Sequence, residues 1–163
     1  MIKVGILTVS DKGFRGERKD TSGALIEEMV EGIDGKVERY TIVPDEEDMI
    51  SKELIEMSDV YQLDLIFTTG GTGFSVRDVT PEATLKVIEK EALGIAEAMR
   101  FKSLQITPKA MLSRAVAGIR KKSLIINLPG SEKAVKECLE FILPALPHGI
   151  GILKGEIREC GKN

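Results

Sequence analysis

The chain has 163 residues, of which 42% are hydrophobic and 30% are charged, and its 23 Lys and Arg against 26 Asp and Glu give a formal net charge of −3. A globular domain of this length buries about 70% of the surface of its unfolded chain, so its core needs no disulfide or structural metal. Five Phe, two Tyr, no Trp and a nearly balanced charge argue against nucleic-acid binding.

The two cysteines and the apolar runs bear on where the protein works. Cys138 and Cys160 have no CxxC motif or Cys/His cluster around them, which argues against a disulfide framework and a zinc site. The amino-terminal run IKVGILTV lacks a small-residue cleavage site and is predicted to be a strand rather than a signal peptide. No apolar stretch approaches the roughly 18 residues of a membrane span. We therefore predict no membrane segment and a cytoplasmic location.

Four short runs rich in Ile, Val and Leu are predicted to be strands, and they alternate with segments of helical period. The strands cover residues 2–9, 36–43, 63–69 and 123–128, and the runs 65–67 and 124–126 are apolar on both faces. Such strands are typical of a parallel sheet that helices cover on both sides. We therefore predict an α/β fold, a three-layer α/β/α domain with a mostly parallel central sheet.

Four helices are predicted from apolar residues that recur every three or four positions. The third begins at Thr80-Pro81, a capping residue before a proline, and the fourth begins at Ser131. Residues 94–122 predict helices interrupted at Thr107-Pro108, and residues 155–163 predict a loose polar tail. Since no repeat or linker interrupts the chain, residues 1–163 are predicted to form one domain. The predicted buried stripes are Leu25, Ile26, Met29, Val30 and Ile33; Ile50, Leu54, Met57 and Tyr61; Leu85, Ile88 and Ala92; and Val135, Leu139, Ile142 and Leu143.

Ligands of an open parallel sheet bind beyond the carboxyl ends of its strands, so the segments that follow the predicted strands are the candidate site. The most informative is TTGGTGFSVRDVTPEAT, residues 68–84, which is neither a Walker A loop nor GxGxxG. Its first six residues are three threonines and three glycines, which let backbone amides approach an anion closely. The candidate residues at these strand ends are Ser10, Asp11, Asp45, Thr69, Gly70, Gly71, Thr72, Gly73, Asn127, Pro129, Gly130 and Ser131.

Arg77 and Asp78 follow the last glycine after three residues and place a cation and a carboxylate where a phosphate and a divalent metal need them. Mg²⁺ takes one or two carboxylates together with phosphate oxygens and waters, and Asp45 would enter the same crevice from a neighbouring strand. The alternative for Asp45 is that it complements the dipole of the following helix. Ser10-Asp11 could equally shape a turn, and Asn127 and Ser131 could form a turn and a helix cap.

These motifs together resemble the molybdenum-cofactor biosynthesis family. GGTGFSVRDVTPEAT at 70–84 is joined by VSD at 9–11, PDE at 44–46, LSRAVAGIR at 112–120 and NLPGS at 127–131. The resemblance runs over residues 2–154 and is closest to the single-domain molybdopterin adenylyltransferases, which are similar to the G domain of gephyrin. Where this family often has a proline, the chain has Val76, which removes a restraint on φ from the loop.

The resemblance implies an enzyme that uses Mg²⁺ and ATP to transfer AMP to the terminal phosphate of molybdopterin and releases pyrophosphate. It implies a homotrimer and hand-over of the product to a molybdenum-insertion protein. Carried over by motif, the catalytic and metal-binding residues are Asp45 and Asp78, and the glycines 70, 71 and 73 with Thr72 hold the pterin phosphate. Ser113 and Arg114 match a pair that the family places near the ligand.

Two other functions stay open from the sequence. One is a paralogue that binds a pterin or a nucleotide differently, and the other is a non-catalytic carrier of molybdopterin. His148, the only histidine, lies in a proline-flanked stretch far from the glycines, so a Ser/His/Asp triad is not predicted.

Overall fold

A six-stranded sheet forms the centre of the molecule in the computed structural model, which describes residues 1–158. Its strands lie in the order β2-β1-β3-β6-β5-β4. The first four are mutually parallel. At one edge, β5 pairs antiparallel with β6, and β4 pairs antiparallel with β5. The predicted mostly parallel α/β fold is therefore confirmed. The strands are β1 (Ile2–Val9), β2 (Gly35–Val43), β3 (Leu65–Thr69), β4 (Lys90–Glu91), β5 (Ala117–Arg120) and β6 (Ser123–Leu128).

Helices cover both faces of the sheet. The helices are α1 (Asp11–Phe14), α2 (Thr21–Val30), α3 (Glu47–Ile55), α4 (Thr80–Val87), α5 (Leu93–Leu104), α6 (Glu132–Ile142) and α7 (Leu146–Lys154). Residues of α2, α5, α6 and α7 pack into one core, and residues of α3 and α4 pack into the other. A π-helical turn, Glu56–Val60, continues α3, and a 3₁₀ helix, Pro108–Leu112, follows α5. Within residues 1–158, no helix combines the length and apolar character that crossing a bilayer requires.

The two central strands bury both of their faces, as their continuous apolar runs predict. Leu65 and Phe67 of β3 point into the core beneath α2 and α6, whereas Ile66 between them points into the core beneath α3 and α4. Residues 124–126 of β6 alternate in the same way. The stripe predicted for the fourth helix, Val135 to Leu143, is likewise buried.

The segment 94–122 differs most from its prediction. Helix α5 and the 3₁₀ helix occupy its first part, but residues 117–120 form β5, which turns back onto β6 through Lys121 and Lys122. Lys121 takes a left-handed conformation with φ of 51° in this turn. At Gly118 a Cβ atom would lie 2.7 Å from the carbonyl oxygen of Lys90, so only glycine lets β4 approach. Strand β5 has four residues and one large apolar side chain, so it shows no alternation of apolar and polar residues from which a strand could be predicted.

The stripe predicted for the third helix is wrong, because α4 ends at Val87 and Leu85 lies 45% exposed. The buried face of α4 instead contains Thr80, Ala83 and Thr84, two of which are polar. Tyr61 is also 40% exposed, and its ring lies under the guanidinium of Arg39 rather than in the core.

The tail begins in an ordered form rather than a loose one. The amides of Glu156 and Ile157 both donate to the carbonyl of Gly151, at 2.9 and 3.2 Å. Cys138 is a buried free thiol. Cys160 and the rest of the predicted tail, from residue 159 on, lie outside the described residues.

An ion pair links the π-helical turn after α3 to the end of β5. Arg120 donates Nε and one terminal nitrogen to the two carboxylate oxygens of Asp59, at 3.0 and 2.7 Å, and Lys121 lies 3.1 Å away. The Arg120 guanidinium, with help from Lys121, lowers the pKa of Asp59 to about 2. Ionised Asp59 therefore stabilises the fold.

We predict that Asp59→Asn lowers the free energy of unfolding by about 1–2 kcal/mol at pH 7. Because the folded-state pKa lies below the ordinary value of 3.8, this stabilisation is complete above pH 4 and is lost as the pH falls towards 2. Urea denaturation at pH 7, 4 and 2 measures it, with the exposed Asp48→Asn as control. A difference that did not shrink with pH would contradict the ion pair as its cause.

Candidate functional site

The carboxyl ends of the four parallel strands meet at one edge of the sheet, because the register pairs Val9 with Val43, Thr8 with Thr69, and Thr69 with Leu128. Gly70 has φ of 95°, and a Cβ atom there would lie 2.4 Å from the carbonyl oxygen of Val9. A side chain at this position would force β1 and β3 apart. Glycine is therefore required where the loop leaves β3.

A buried chain of hydrogen bonds supports the glycine loop, residues 70–73, from below. The Asn127 amide donates to the hydroxyls of Thr68 and Thr84, both at 2.9 Å, and accepts from the amide of Val116 at 3.2 Å. Thr84 donates to the carbonyl of Thr80 at 2.8 Å, and Thr80 donates its hydroxyl to the carbonyl of Gly70 at 2.9 Å. The asparagine predicted to line the pocket thus lies fully buried beneath the loop.

The loop has its carbonyl oxygens occupied and its amides open. The carbonyls of Gly70 and Gly71 accept from Thr80, and those of Thr72 and Gly73 accept from Arg114. Across residues 1–158, the amides of Gly71, Thr72 and Gly73 donate to no acceptor. Several open amides in a glycine-rich turn form a concave site suited to an anion such as phosphate.

Four charged side chains lie together beside this loop. Asp11 and Asp45 exchange hydrogen bonds, since each carboxylate accepts from the other residue's amide, at 2.9 and 3.0 Å. Arg77 binds both oxygens of Asp11 and one of Glu46, at 2.9 to 3.1 Å. The pair of Asp11 and Asp45 therefore fixes the ends of β1 and β2 to each other, and Arg77 ties the loop to both.

The two aspartates of this pair have opposite pKa shifts. The hydrogen bonds from Arg77 lower the pKa of Asp11. Burial raises the pKa of Asp45, and the nearby carboxylates of Asp11 and Asp78 add to the effect. The carboxylate of Asp45 bonds the Asp11 amide and makes no cap bond to α3, which argues against the helix-dipole interpretation. Arg77 and the Asp11 amide offset only part of this rise, and a partly buried carboxylate of raised pKa is an environment that a bound cation relieves.

Asp78 turns back towards the loop that precedes it. One of its carboxylate oxygens accepts from the amide of Ser75 at 2.9 Å, and a Cβ atom on Gly73 would lie 2.9 Å from that oxygen. Asp78 is thus held against the glycines, and it lies close enough to Asp45 to affect its pKa. No group of three or more His, Cys, Asp and Glu in residues 1–158 forms a complete metal site. Asp45 and Asp78 could supply only part of the ligands of a metal.

A cavity of about 380 Å³ opens on the other side of Ser10, over the ends of β1, β3 and β6. Of the predicted site residues, Ser10, Thr69, Gly130 and Ser131 line it. Ser10 and Ser131 also cap α1 and α6, so both the functional and the capping interpretations of these serines apply. The glycine loop, the acids and Arg77 lie beside this cavity rather than in its wall.

Three further predicted residues lie outside this cavity. Ser113 and Pro129 line a second, mostly apolar cavity of about 220 Å³ beside α5, and the Pro129 carbonyl accepts from Thr69 at 2.7 Å. Arg114 contacts the glycine loop instead of the cavity. Neither Ser113 nor Arg114 therefore belongs to the wall of the 380 Å³ cavity.

The prediction missed residues 18–22, which lie before and at the start of α2. Arg18, Lys19, Asp20, Thr21 and Ser22 all line the cavity, and neither cation forms an ion pair with residues 1–158. Asp20 caps α2 and accepts from the hydroxyls of Thr8 and Tyr40. Two basic residues just before a capping aspartate, after the first strand, are the signal in the sequence that could have revealed this wall.

We predict that Asp45→Asn raises the free energy of unfolding at pH 7 by about 0.5–1 kcal/mol. Asparagine keeps an acceptor for the Asp11 amide and removes the like-charge repulsion. Since the folded-state pKa is raised, the gain is full at neutral pH and vanishes below the ordinary pKa of an aspartate.

Thermal and urea unfolding at pH 7 and pH 3.5 measure this change, and Asp48→Asn on the exposed side of α3 is the control. A less stable Asp45→Asn protein at neutral pH would mean that the carboxylate serves the helix dipole after all.

Known proteins resemble this chain over nearly its whole length. The family model described as a probable molybdopterin binding domain matches residues 5–148. The molybdopterin adenylyltransferase of Helicobacter pylori strain J99 is 50% identical, over 99% of this chain and 93% of the relative. The structure of a molybdopterin biosynthesis enzyme, MoaB, from Thermus thermophilus is 53% identical with a TM-score of 0.90, over 95% of this chain and 98% of that one.

A tungsten cofactor synthesizing protein from Pyrococcus furiosus is also similar, at 39% identity and a TM-score of 0.84, over 95% of this chain and 96% of that one. The match of the family model to most of the chain and the two full-length structural likenesses agree with the motifs at the strand ends. The chain therefore belongs to the molybdopterin-binding family of molybdenum-cofactor biosynthesis.

Proposed function

We propose that this chain is a molybdopterin adenylyltransferase, which transfers AMP from ATP to the terminal phosphate of molybdopterin and releases pyrophosphate. The observation that carries the proposal is the meeting of an open-amide glycine loop with Asp45 and Asp78 at one sheet edge. The full-length likeness to a relative named for this activity supports it.

Binding of two anionic substrates is the first task of such a site. In the proposal, the amides of Gly71, Thr72 and Gly73 hold the terminal phosphate of molybdopterin. Arg18 and Lys19 attract anionic groups to the neighbouring cavity, where the amino-terminal ends of α2 and α6 also open. A protein of net charge −3 thereby gains a local positive potential where its substrates enter.

Asp45 and Asp78 are suited to be the carboxylate ligands of Mg²⁺ in the proposed reaction. Mg²⁺ takes one or two carboxylates, keeps several waters and completes its shell with phosphate oxygens. Burial, together with the nearby carboxylates of Asp11 and Asp78, raises the pKa of Asp45, and two neighbouring carboxylates are the number that Mg²⁺ takes from a protein. When bound, the ion would neutralise the charge of the ATP triphosphate.

The chemistry requires no protein nucleophile. An oxygen of the molybdopterin phosphate attacks the α-phosphorus of ATP, the bond from that phosphorus to the bridging oxygen breaks, and pyrophosphate leaves with that oxygen. The chain's own residues then act by positioning: loop amides orient the attacking phosphate, and Arg77 keeps the loop against Asp11 and Glu46. Positioning and charge stabilisation account for most of the acceleration in phosphoryl-type transfers.

The proposal extends to the oligomeric state of the protein, its location and the recipient of its product. We propose a homotrimer in the cytoplasm that hands adenylyl-molybdopterin to a molybdenum-insertion protein. An apolar surface, made of α5 and the 3₁₀ helix after it, supports self-association. Its exposed large side chains are Leu93, Phe101, Leu104, Ile106, Met111 and Leu112. A surface of this kind on a folded domain usually marks an interface.

Asp78→Asn is expected to reduce adenylylation about a thousandfold while leaving molybdopterin affinity within a few fold. Asparagine still accepts from the Ser75 amide, so the loop keeps its shape, but the charge that would serve the metal is lost. Pyrophosphate release with ATP, Mg²⁺ and molybdopterin gives the rate, and fluorescence titration gives the affinity.

Wild-type turnover in this variant would overturn the assignment of Asp78. A wild-type protein that binds molybdopterin but releases no pyrophosphate would overturn the enzyme and establish a carrier. Asp48→Asn, at an exposed position of α3 that forms no hydrogen bond or ion pair with the loop within residues 1–158, serves as the control and should turn over normally.

We expect the double variant Phe101→Glu, Met111→Glu to elute as a monomer, because two buried charges in an apolar interface cost more than the contact contributes. Light scattering after gel filtration measures the mass of each species. Val60→Glu, an equally apolar and exposed position on the π-helical turn, is the control that should stay trimeric. A trimeric double variant would exclude this surface as the interface.

A further inference from the structure

Arg114 contacts the glycine loop and the segment after it through its amide and all three guanidinium nitrogens. Its Nε donates to the carbonyl of Gly73 at 2.8 Å, and one terminal nitrogen donates to the carbonyl of Asp78 at 2.7 Å. Its own amide donates to the carbonyl of Thr72 at 2.9 Å. The other terminal nitrogen binds the carboxylate of Glu82, in the first turn of α4.

We propose that Arg114 is a positioning residue, which fixes the backbone from Thr72 to Asp78 and thereby the direction of the Asp78 carboxylate. The inference rests on the proposed function only for the reaction that this positioning serves. The resemblance of the Ser113-Arg114 pair to a ligand-binding motif implied instead that Arg114 contacts the substrate.

The need for such a clamp follows from how little apolar packing holds residues 74–76, although Arg77 just after them is tied to Asp11 and Glu46. Phe74 is 71% exposed and Val76 is 95% exposed, so residues 74–76 have almost no apolar packing. Val76 also lacks the φ restraint of a proline. A segment with few buried contacts opens locally at low free-energy cost unless polar contacts restrain it. Arg114 supplies those contacts at both ends, to Gly73 before the exposed residues and to Asp78 after them.

The chemistry of the guanidinium suits it to hold the loop and leaves no nitrogen free to bind a substrate phosphate. Its planar fork presents several donors in fixed directions, which a lysine ammonium cannot reproduce. All three of its nitrogens are engaged by two carbonyls and a carboxylate of the chain. The charge is balanced by Glu82, so Arg114 is not left as a free cation for a phosphate.

Hydrogen exchange of Arg114→Lys tests the clamp without any substrate. We expect the amides of Ser75, Asp78 and Thr80, which close the loop internally, to exchange about tenfold faster or more. Arg120→Lys is the matched control, since Arg120 is also held by a carboxylate and a carbonyl but lies away from the loop. Unchanged exchange in a folded Arg114→Lys protein would overturn the inference. If that variant does not fold, Glu82→Gln, which frees one nitrogen of the clamp, should show a smaller effect of the same sign.

Kinetics distinguish a positioning role from a merely structural one. Arg114→Lys should lower kcat of pyrophosphate release by about 10- to 100-fold, with the KM for molybdopterin unchanged within a few fold. Arg120→Lys should lower Tm and leave kcat unchanged. A large rise in KM at constant kcat would overturn the inference in favour of substrate contact. Wild-type protein that released no pyrophosphate would overturn the proposed function, while the exchange measurement would still decide the role of Arg114.

Discussion

The candidate site depends on one buried hydrogen-bonded chain, which starts at Asn127 and passes through Thr84 and Thr80 to the carbonyl of Gly70. Asn127 lies in the central strand β6, and its amide also holds Thr68 at the end of β3. A buried polar network of this kind stabilises a single arrangement only when every member is satisfied, and no buried side-chain polar atom in residues 1–158 lacks a partner. The position of the glycine loop is therefore set from inside the core.

Above that support, the loop is restrained differently on its two sides. Thr80 engages the carbonyls of Gly70 and Gly71, and Arg114 engages those of Thr72 and Gly73. The carbonyls are thus occupied by the protein, whereas the amides of Gly71, Thr72 and Gly73 donate to no acceptor in residues 1–158. The carboxylates of Asp45 and Asp78 lie near each other at the same sheet edge, where Arg77 is bonded to Asp11 and Glu46. Burial and like charge thus raise the pKa of Asp45 at this sheet edge, which is an environment common at functional sites.

Strongly patterned elements could be predicted, and weakly patterned ones could not. The strands β1, β3 and β6 are apolar runs, and the two-sided burial of β3 and β6 follows from their composition. Strand β5 contains Gly118 and a single large apolar residue, and it forms only because β6 lies beside it. Helix α4 buries Thr80 and Thr84, which the apolar stripe around Leu85 did not indicate. Their hydroxyls are buried because partners outside the helix satisfy them: Thr80 donates to the carbonyl of Gly70, and Thr84 accepts from the Asn127 amide. A local period does not record such contacts.

The parallel sheet, the strand ends where the candidate site lies, and the glycine loop with Asp45 and Asp78 could be read from the sequence. These features depend on local properties: apolar runs, and glycines where a Cβ atom would clash. The sequence did not predict that Asn127 lies under the glycine loop, that Arg114 holds this loop, or that Arg18 and Lys19 line the cavity. These positions are seen only in the folded structure. Those roles depend on contacts between residues far apart in the chain, such as the bond from Ser22 to the carbonyl of Gly130. Contacts of that range form only when the sheet brings the strand ends together, and no spacing within a segment encodes them.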